Sequence, residues 1–213
     1  MSDGRKTVLL IAGEASGDTL GAELIKAMRA EPGGDEIDFI GAGGPQMEAA
    51  ALRPEFDLSE HAVVGIWEVL KNYFKFRRLF RHLLELATRR EPDIIVLIDY
   101  PGFNFRLGAS VAELGVPVVY YISPQVWAWR RGRLRTMKRF VTRALVIFPF
   151  EEALYREADI PVAFVGHPLL DLATPALGRD AFRRAYRLDP EAPTVTVLPG
   201  SRANELRVIL PDL

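Results

Sequence analysis

Six short runs rich in valine and isoleucine recur along the first 165 residues: Thr7–Ala12, Ile37–Ile40, Asp93–Ile98, Val116–Ile122, Ala144–Phe148 and Val162–Val165. Several of them have no polar face. A strand with one wet side alternates apolar and polar residues, so a run without alternation must be covered on both sides. Parallel sheets between two helical layers meet that condition. Helical patterns fill the gaps. One spans Asp18–Ala30, opening after Gly17 and stopping before Pro32; Phe105–Leu114 ends at Gly115, and Glu151–Ala158 ends before Pro161. Strands alternating with helices at this spacing predict βαβ units and a Rossmann-like open parallel α/β sheet.

The pattern changes after residue 170. Asp171–Pro175 reads as a linker and Arg179–Leu188 as a helix. Thr194–Leu198 reads as a strand that runs into Pro199-Gly200-Ser201-Arg202 and a helical pattern from Asn204. One strand, one turn and one helix cannot make a sheet. The division is therefore residues 1–172 as a first domain, and 173–213 as a linker with the start of a second domain that continues in a longer protein.

Charge excludes less than its distribution suggests. The 213 residues carry net charge -1, yet residues 71–90 hold seven Lys/Arg against Glu85 alone, and residues 130–143 hold seven with no acid. Nothing in these patches matches a nucleic-acid-binding motif. The absence of cysteine rules out disulfides, thiolate metal sites and a cysteine nucleophile, and fits a reducing cytoplasm. The apolar run Val8–Ala12 is too short for a signal-peptide core or a membrane span. His61, His82 and His167 lie far apart with no metal-ligand spacing, so no metal site is expected.

Several stretches can carry chemistry. AGEASGD (12–18) joins a strand to a helix; its small residues let backbone come close to a ligand, and Glu14 and Asp18 suit a hydroxyl-rich molecule better than a phosphate. The competing account is a tight turn capped by Ser16 or Asp18. GAGG (41–44) has the same two readings. Residues 63–86 form a basic amphipathic helix, with Ile66, Val69, Leu70, Tyr73, Phe80, Leu83 and Leu84 on one face and Lys71, Lys75, Arg78 and His82 opposed. Trp67, Phe74 and Phe76 widen its apolar surface beyond one core contact, which suits an anionic lipid surface or an acyl chain, or else a core helix with a solvated face. In 122–140 tryptophan sits among arginines, either gripping a phosphorylated, partly apolar ligand or anchoring a loop. LPGSR (198–202) is an ordinary βα turn or a diphosphate cradle. IIVLIDYPGFN (94–104) ends a buried strand in Asp99, although Pro101 and Gly102 already turn the chain; Asn104 suits a cap for a helix beginning near Phe105.

Together, AGEASGD, GAGGPQM, VVGIWEVL, IDYPGFN, YYISPQVWAWR, FPFE, GHP and LPGSR, in this order, resemble the lipid-A-disaccharide synthase family, from Thr7 to Arg202. The resemblance implies the N-terminal domain of a glycosyltransferase B fold and an inverting transfer without metal or other cofactor. It implies a UDP-2,3-diacylglucosamine donor and 2,3-diacylglucosamine 1-phosphate (lipid X) as acceptor. It implies also a peripheral enzyme on the cytoplasmic face of the inner membrane, a homodimer at full length, and no nucleic-acid partner. An inverting displacement needs a base for the acceptor 6-hydroxyl, and a carboxylate at the C-terminal end of a central strand faces the crevice where such sheets bind ligands: Asp99. Glu14, Ser16, Gly17, Asp18, Asn104, Trp129 and Arg130 then contact substrate, Gly200, Ser201 and Arg202 the nucleotide phosphates, and Ile66, Trp67, Leu70 and Phe74 the membrane or acyl chains. Family members are nearly twice this long, so the 213-residue chain alone is expected to be inactive. Two other readings stay open: a non-catalytic module binding membrane or acylated sugar, and a nucleotide-sugar epimerase of the same fold.

Overall fold

The computed structural model describes residues 5–57, 66–126, 132–200 and 203–213; the side chains of 55–57, 66–75 and 203–204 lie outside that description. The chain divides into two compact units, Met1–Pro168 and Leu169–Leu213.

The first unit holds a seven-stranded sheet: β1 (Lys6–Ala12), β2 (Ile37–Gly43), β3 (Leu52–Asp57), β4 (Ile94–Ile98), β5 (Val118–Tyr121), β6 (Arg143–Val146) and β7 (Val162–Phe164). The strands are parallel and ordered β3-β2-β1-β4-β5-β6-β7. Helices α1 (Ala15–Ala30), α2 (Pro45–Ala49), α3 (Ile66–Arg90), α4 (Pro101–Val111), α5 (Arg133–Met137) and α6 (Glu151–Glu157) fill the crossovers.

Burial on both faces explains why the strand runs do not alternate. Along β1, Leu9 and Ile11 join one core with Leu79, Leu83 and Leu86 of α3 and Phe103, Leu107 and Val111 of α4. Val8, Leu10 and Ala12 point the other way, into a core with Leu20 and Ile25 of α1 and Met47 of α2. The buried edge of α3 is thus Leu79, Leu83, Leu86 and Ala87, with Phe80 and Leu84 only partly covered. Among the described residues, no helix is long and apolar enough to cross a membrane.

One strand was not foreseen and two expectations are corrected. β3 was not legible as a strand, because Pro54 and the charges of LRPEFD suit only a sheet edge, which is where it lies. α4 starts at Pro101, so Asn104 sits inside the helix and caps nothing. The strand expected at Thr194–Leu198 is absent: this stretch has no regular secondary structure and pairs with no strand among the described residues. The second unit contains α7 (Leu169–Leu172), α8 (Arg179–Ala185), α9 (Ala203–Ile209) and a short 3₁₀ turn, and none of its described residues is buried.

Candidate active site

The strand order reverses direction between β1 and β4, and ligands of open α/β sheets bind at such a switch point, beyond the carboxyl ends of the strands. Register decides what gathers there. Ala12 lies beside Ile98, and Ile98 beside Tyr121, so the next residues of three strands leave the sheet together. These are Gly13-Glu14, Asp99-Tyr100 and Ile122-Ser123.

Backbone strain concentrates on the same crest. Asp99, Tyr100 and Ile122 have φ of 44°, 46° and 54°, left-handed values that cost an L-residue about 1–2 kcal/mol each. Such conformations persist only where surrounding contacts hold them, and they cluster at functional sites. Here the bonds holding the turn are explicit. The Asp99 N–H donates to the Tyr121 carbonyl (3.1 Å). The Asp99 carbonyl accepts from Asn104 Nδ2 (2.8 Å) and from the Tyr120 hydroxyl (2.8 Å), and Asn104 Nδ2 also reaches the Ile98 carbonyl (3.2 Å). Asn104 and Tyr120 are fully buried. Gly13 completes the crest: a Cβ there would lie 2.1 Å from the Tyr100 ring, so only glycine lets that ring cover the first βα turn.

Alternate residues of the strained turn face two different spaces. Asp99 and Pro101 line a cavity of about 300 Å³ with Ile122, Ser123, Pro124, Gln125, Val126, Arg133 and Ile147. Tyr100 and Gly102 instead line a groove of about 620 Å³ between α3 and α4, with Phe76, Phe80 and Phe103 inside and Arg77, Arg106 and Ser110 beside them. Tyr100 stacks on Phe103 at 5.9 Å, and Phe80 meets Phe103 edge-on at 6.1 Å. A cavity holding Asp99 and Arg133 among largely apolar walls and an aromatic groove are therefore separated by a single turn of chain.

Electrostatics distinguish Asp99 from an ordinary surface acid. Burial pushes its carboxyl above the usual range, the charge of Glu14 pushes it further, and the Tyr100 backbone N–H opposes both. The Tyr100 hydroxyl is raised by burial and by Glu14 as well. A carboxyl so placed is a better base than a solvated one, since proton affinity rises with pKa.

Other expected site residues fare differently. Glu14 lies at the head of α1 beside this crest, Ser16 is exposed on the first turn, and Gly17 packs against Ala12. Asp18 is not available to a ligand: its two oxygens accept the backbone N–H groups of Gly44 (2.9 Å), Gln46 (3.0 Å) and Met47 (2.9 Å), fastening the head of α2. Asn104 is likewise spent on carbonyls and sealed from solvent, so it supports the site without touching substrate. Trp129, Arg130, Ser201 and Arg202 lie outside the described residues, and so do the side chains of Ile66, Trp67, Leu70 and Phe74, whose backbone is in α3. Gly200 belongs to the second unit, at φ 113°. Tyr120 was missed from the sequence, hidden in an apolar strand, while Arg133 was covered only within the arginine run read as able to grip a phosphate, with no means of choosing among its members. Among the described residues no three of His, Cys, Asp and Glu converge.

Comparison with known proteins gives this geometry a context. The family model described as lipid-A-disaccharide synthetase matches residues 8–213. A lipid-A-disaccharide synthase of Myxococcus xanthus is 46% identical over 97% of this chain and 53% of its own length. One from Koribacter versatilis is 48% identical over 97% of this chain and 54% of its own. The chain thus spans about half the length of the relatives it matches. Among solved structures, the UDP-GlcNAc 2-epimerase of Neisseria meningitidis bound to UDP-GlcNAc superimposes with a TM-score of 0.53 at 11% identity, covering 78% of this chain and 47% of the other. Glycyrrhiza uralensis UGT73P12, complexed with glycyrrhetinic acid 3-O-monoglucuronide, gives 0.50 at 13% identity, covering 81% and 50%. At such identities the likeness concerns the fold alone: the α/β architecture shared by glycosyltransferases of the B type and by these epimerases.

Proposed function

We propose, from the premise that this chain belongs to the lipid-A-disaccharide synthetase family, that its first unit is the acceptor half of an inverting glycosyltransferase with Asp99 as the general base. The donor is UDP-2,3-diacylglucosamine and the acceptor 2,3-diacylglucosamine 1-phosphate. Asp99 takes the proton of the acceptor 6-hydroxyl as that oxygen attacks the anomeric carbon of the donor. The bond from that carbon to the diphosphate breaks, UDP leaves with the electron pair, and the new glycosidic bond has inverted configuration. Gly200, Ser201 and Arg202 meet the phosphates of the leaving group, and Ser16 and Glu14 contact the sugar.

One observation carries the reading: a carboxyl of raised pKa on a strained turn at the switch point, with a cavity that also holds Ser123, Gln125 and Arg133 on one side and an aromatic groove on the other. A diacylated sugar has those two characters. The hexose suits the cavity, and an acyl chain suits the groove between Phe76, Phe80 and Phe103. The exposed guanidinium groups of Arg77 and Arg106 beside that groove suit an anionic bilayer surface, so the enzyme works from the cytoplasmic face of the inner membrane. At the relatives' length it forms a homodimer.

The test is Asp99→Asn in a polypeptide of the relatives' length that contains residues 1–213. Transfer from radiolabelled donor falls by about 10²- to 10⁴-fold or more, the worth of a general base, while the fold survives. Retained activity would overturn the assignment. The 213-residue chain alone is expected to give no transfer above background in the same assay.

A further inference from the structure

The cavity beside Asp99 holds a second charged side chain that the reaction above does not use. Arg133, at the start of α5, lines it and is half-buried. Its guanidinium lies over the Phe105 ring, 5.2 Å from the centroid, a contact that stacks the planar group and limits its rotation. It makes no ion pair and no hydrogen bond among the described residues. The other basic residues of this region differ. Lys138 is paired with Asp159 at 2.9 Å, and Arg135, Arg139 and Arg143 are exposed and do not line the cavity. Arg130 and Arg131 lie outside the described residues. A guanidinium held over an aromatic ring, half out of water and with no carboxylate partner among the described residues, favours a bidentate oxyanion.

The cavity's chemistry narrows the choice of oxyanion. In a hexose, C1 and C5 both bond the ring oxygen, so the C6 hydroxyl and a substituent on C1 occupy the same edge of the ring. A ligand that presents its 6-hydroxyl to Asp99 therefore carries its C1 substituent along the same wall of a cavity of only about 300 Å³. We propose that Arg133 binds the phosphate on C1 of the acceptor and so selects a phosphorylated acceptor over an unphosphorylated one. Asp99 reads the 6-hydroxyl and Arg133 the anomeric phosphate, which fixes the sugar at both ends of one edge. Ser123, whose hydroxyl sits 2.6 Å from the Tyr155 hydroxyl, is already engaged and helps to shape the wall. This assignment rests on the acceptor reading of the cavity.

Calorimetric titration of the 213-residue chain separates the two claims. The probes are a glucosamine 1-phosphate carrying short acyl groups on N2 and O3, and the same sugar without phosphate. Wild type binds the phosphorylated sugar more tightly by roughly 10- to 100-fold, the range of a charge-assisted bidentate contact. Arg133→Gln removes that preference and leaves affinity for the unphosphorylated sugar unchanged. A preference that survives in Arg133→Gln overturns the Arg133 assignment alone. Equal weakening of both sugars also overturns it, since the side chain would then serve the scaffold. If wild type binds neither sugar, the acceptor reading falls and Arg133 with it. A second measurement requires no variant: the Arg133 Nε resonance of the wild-type chain shifts with the phosphorylated sugar and not with its dephosphorylated form. A resonance unmoved by the phosphorylated sugar overturns the assignment.

Discussion

At the residue scale the molecule spends stability on Asp99. Its carboxyl is held above the ordinary value of 3.8, first by burial and then by Glu14, so the folded state disfavours the charge. For an acid with a raised folded pKa, the penalty is absent below the unfolded value, grows as pH rises through the window between the two, and is complete above the folded value. Asp99→Asn should therefore melt higher than wild type near about pH 7, with the gain fading as pH falls toward about 4. Paired thermal melts at the two pH values check this, and a variant that is less stable near neutrality contradicts it. Glu14→Gln acts on the second cause only. The Asp99 titration midpoint, followed by carboxyl NMR, moves down but stays above 3.8 because burial remains. The sequence singled out Glu14 and Asp99 as acids at strand exits, with a turn or cap as the competing account, and the structure places both on the crest. The role of Asp18 was not legible, because its three backbone partners lie 26 to 29 residues away and only the fold brings them within reach.

At the element scale the strained exit of β4 depends on what grips it. Asn104 reaches back from α4 to two carbonyls that would otherwise be buried with fewer partners, Ile98 and Asp99. Asn104→Ala removes both bonds and should lower stability by about 1–3 kcal/mol, seen as a lower urea midpoint at unchanged slope. The sequence marked Asn104 as a helix cap because Phe105 begins an apolar pattern, whereas Pro101 starts the helix a turn earlier. Strands β1 and β4 were legible because burial on both faces leaves a continuous apolar run. The edge strand β3 was not, since one unpaired side tolerates Pro54 and charge. Helix α3 was legible as helix and only partly as a surface. Among the described side chains its buried edge runs through Leu79, Leu83, Leu86 and Ala87, with Phe76 packed partly against the same core. The double variant Trp67→Ser, Phe74→Ser is expected to co-sediment markedly less with vesicles containing anionic lipid, with melting unchanged. Equal sedimentation would remove the membrane role from α3.

At the scale of the whole molecule the two units differ in what they can do alone. All seven strands and every member of both buried cores lie between Lys6 and Phe164, so the first unit contains all it needs to fold cooperatively. The second unit buries none of its described residues, and leaves Val195 84% and Leu198 86% exposed on a stretch that pairs with no strand among the described residues. Forty-five residues without a core do not hold a fold in water. The sequence pattern of Thr194–Leu198 is nevertheless that of a buried strand leading into a Gly-Ser-Arg turn, and the relatives are about twice as long. We propose from that combination that 173–213 is a linker with the opening of a second domain, whose other strands would come from a longer polypeptide. Hydrogen exchange tests it directly. In the 213-residue chain, amides of β1, β4 and β5 should be protected to the level of global unfolding, and those of 194–198 should exchange within about a factor of ten of the unfolded rate. In a polypeptide of the relatives' length the same five residues should gain protection comparable to β1, because parallel neighbours then occupy both edges of the strand. Amides of 194–198 that remain unprotected at the longer length would show that LPGSR is not the exit of a sheet strand, and the phosphate role proposed for Gly200, Ser201 and Arg202 would fall with it.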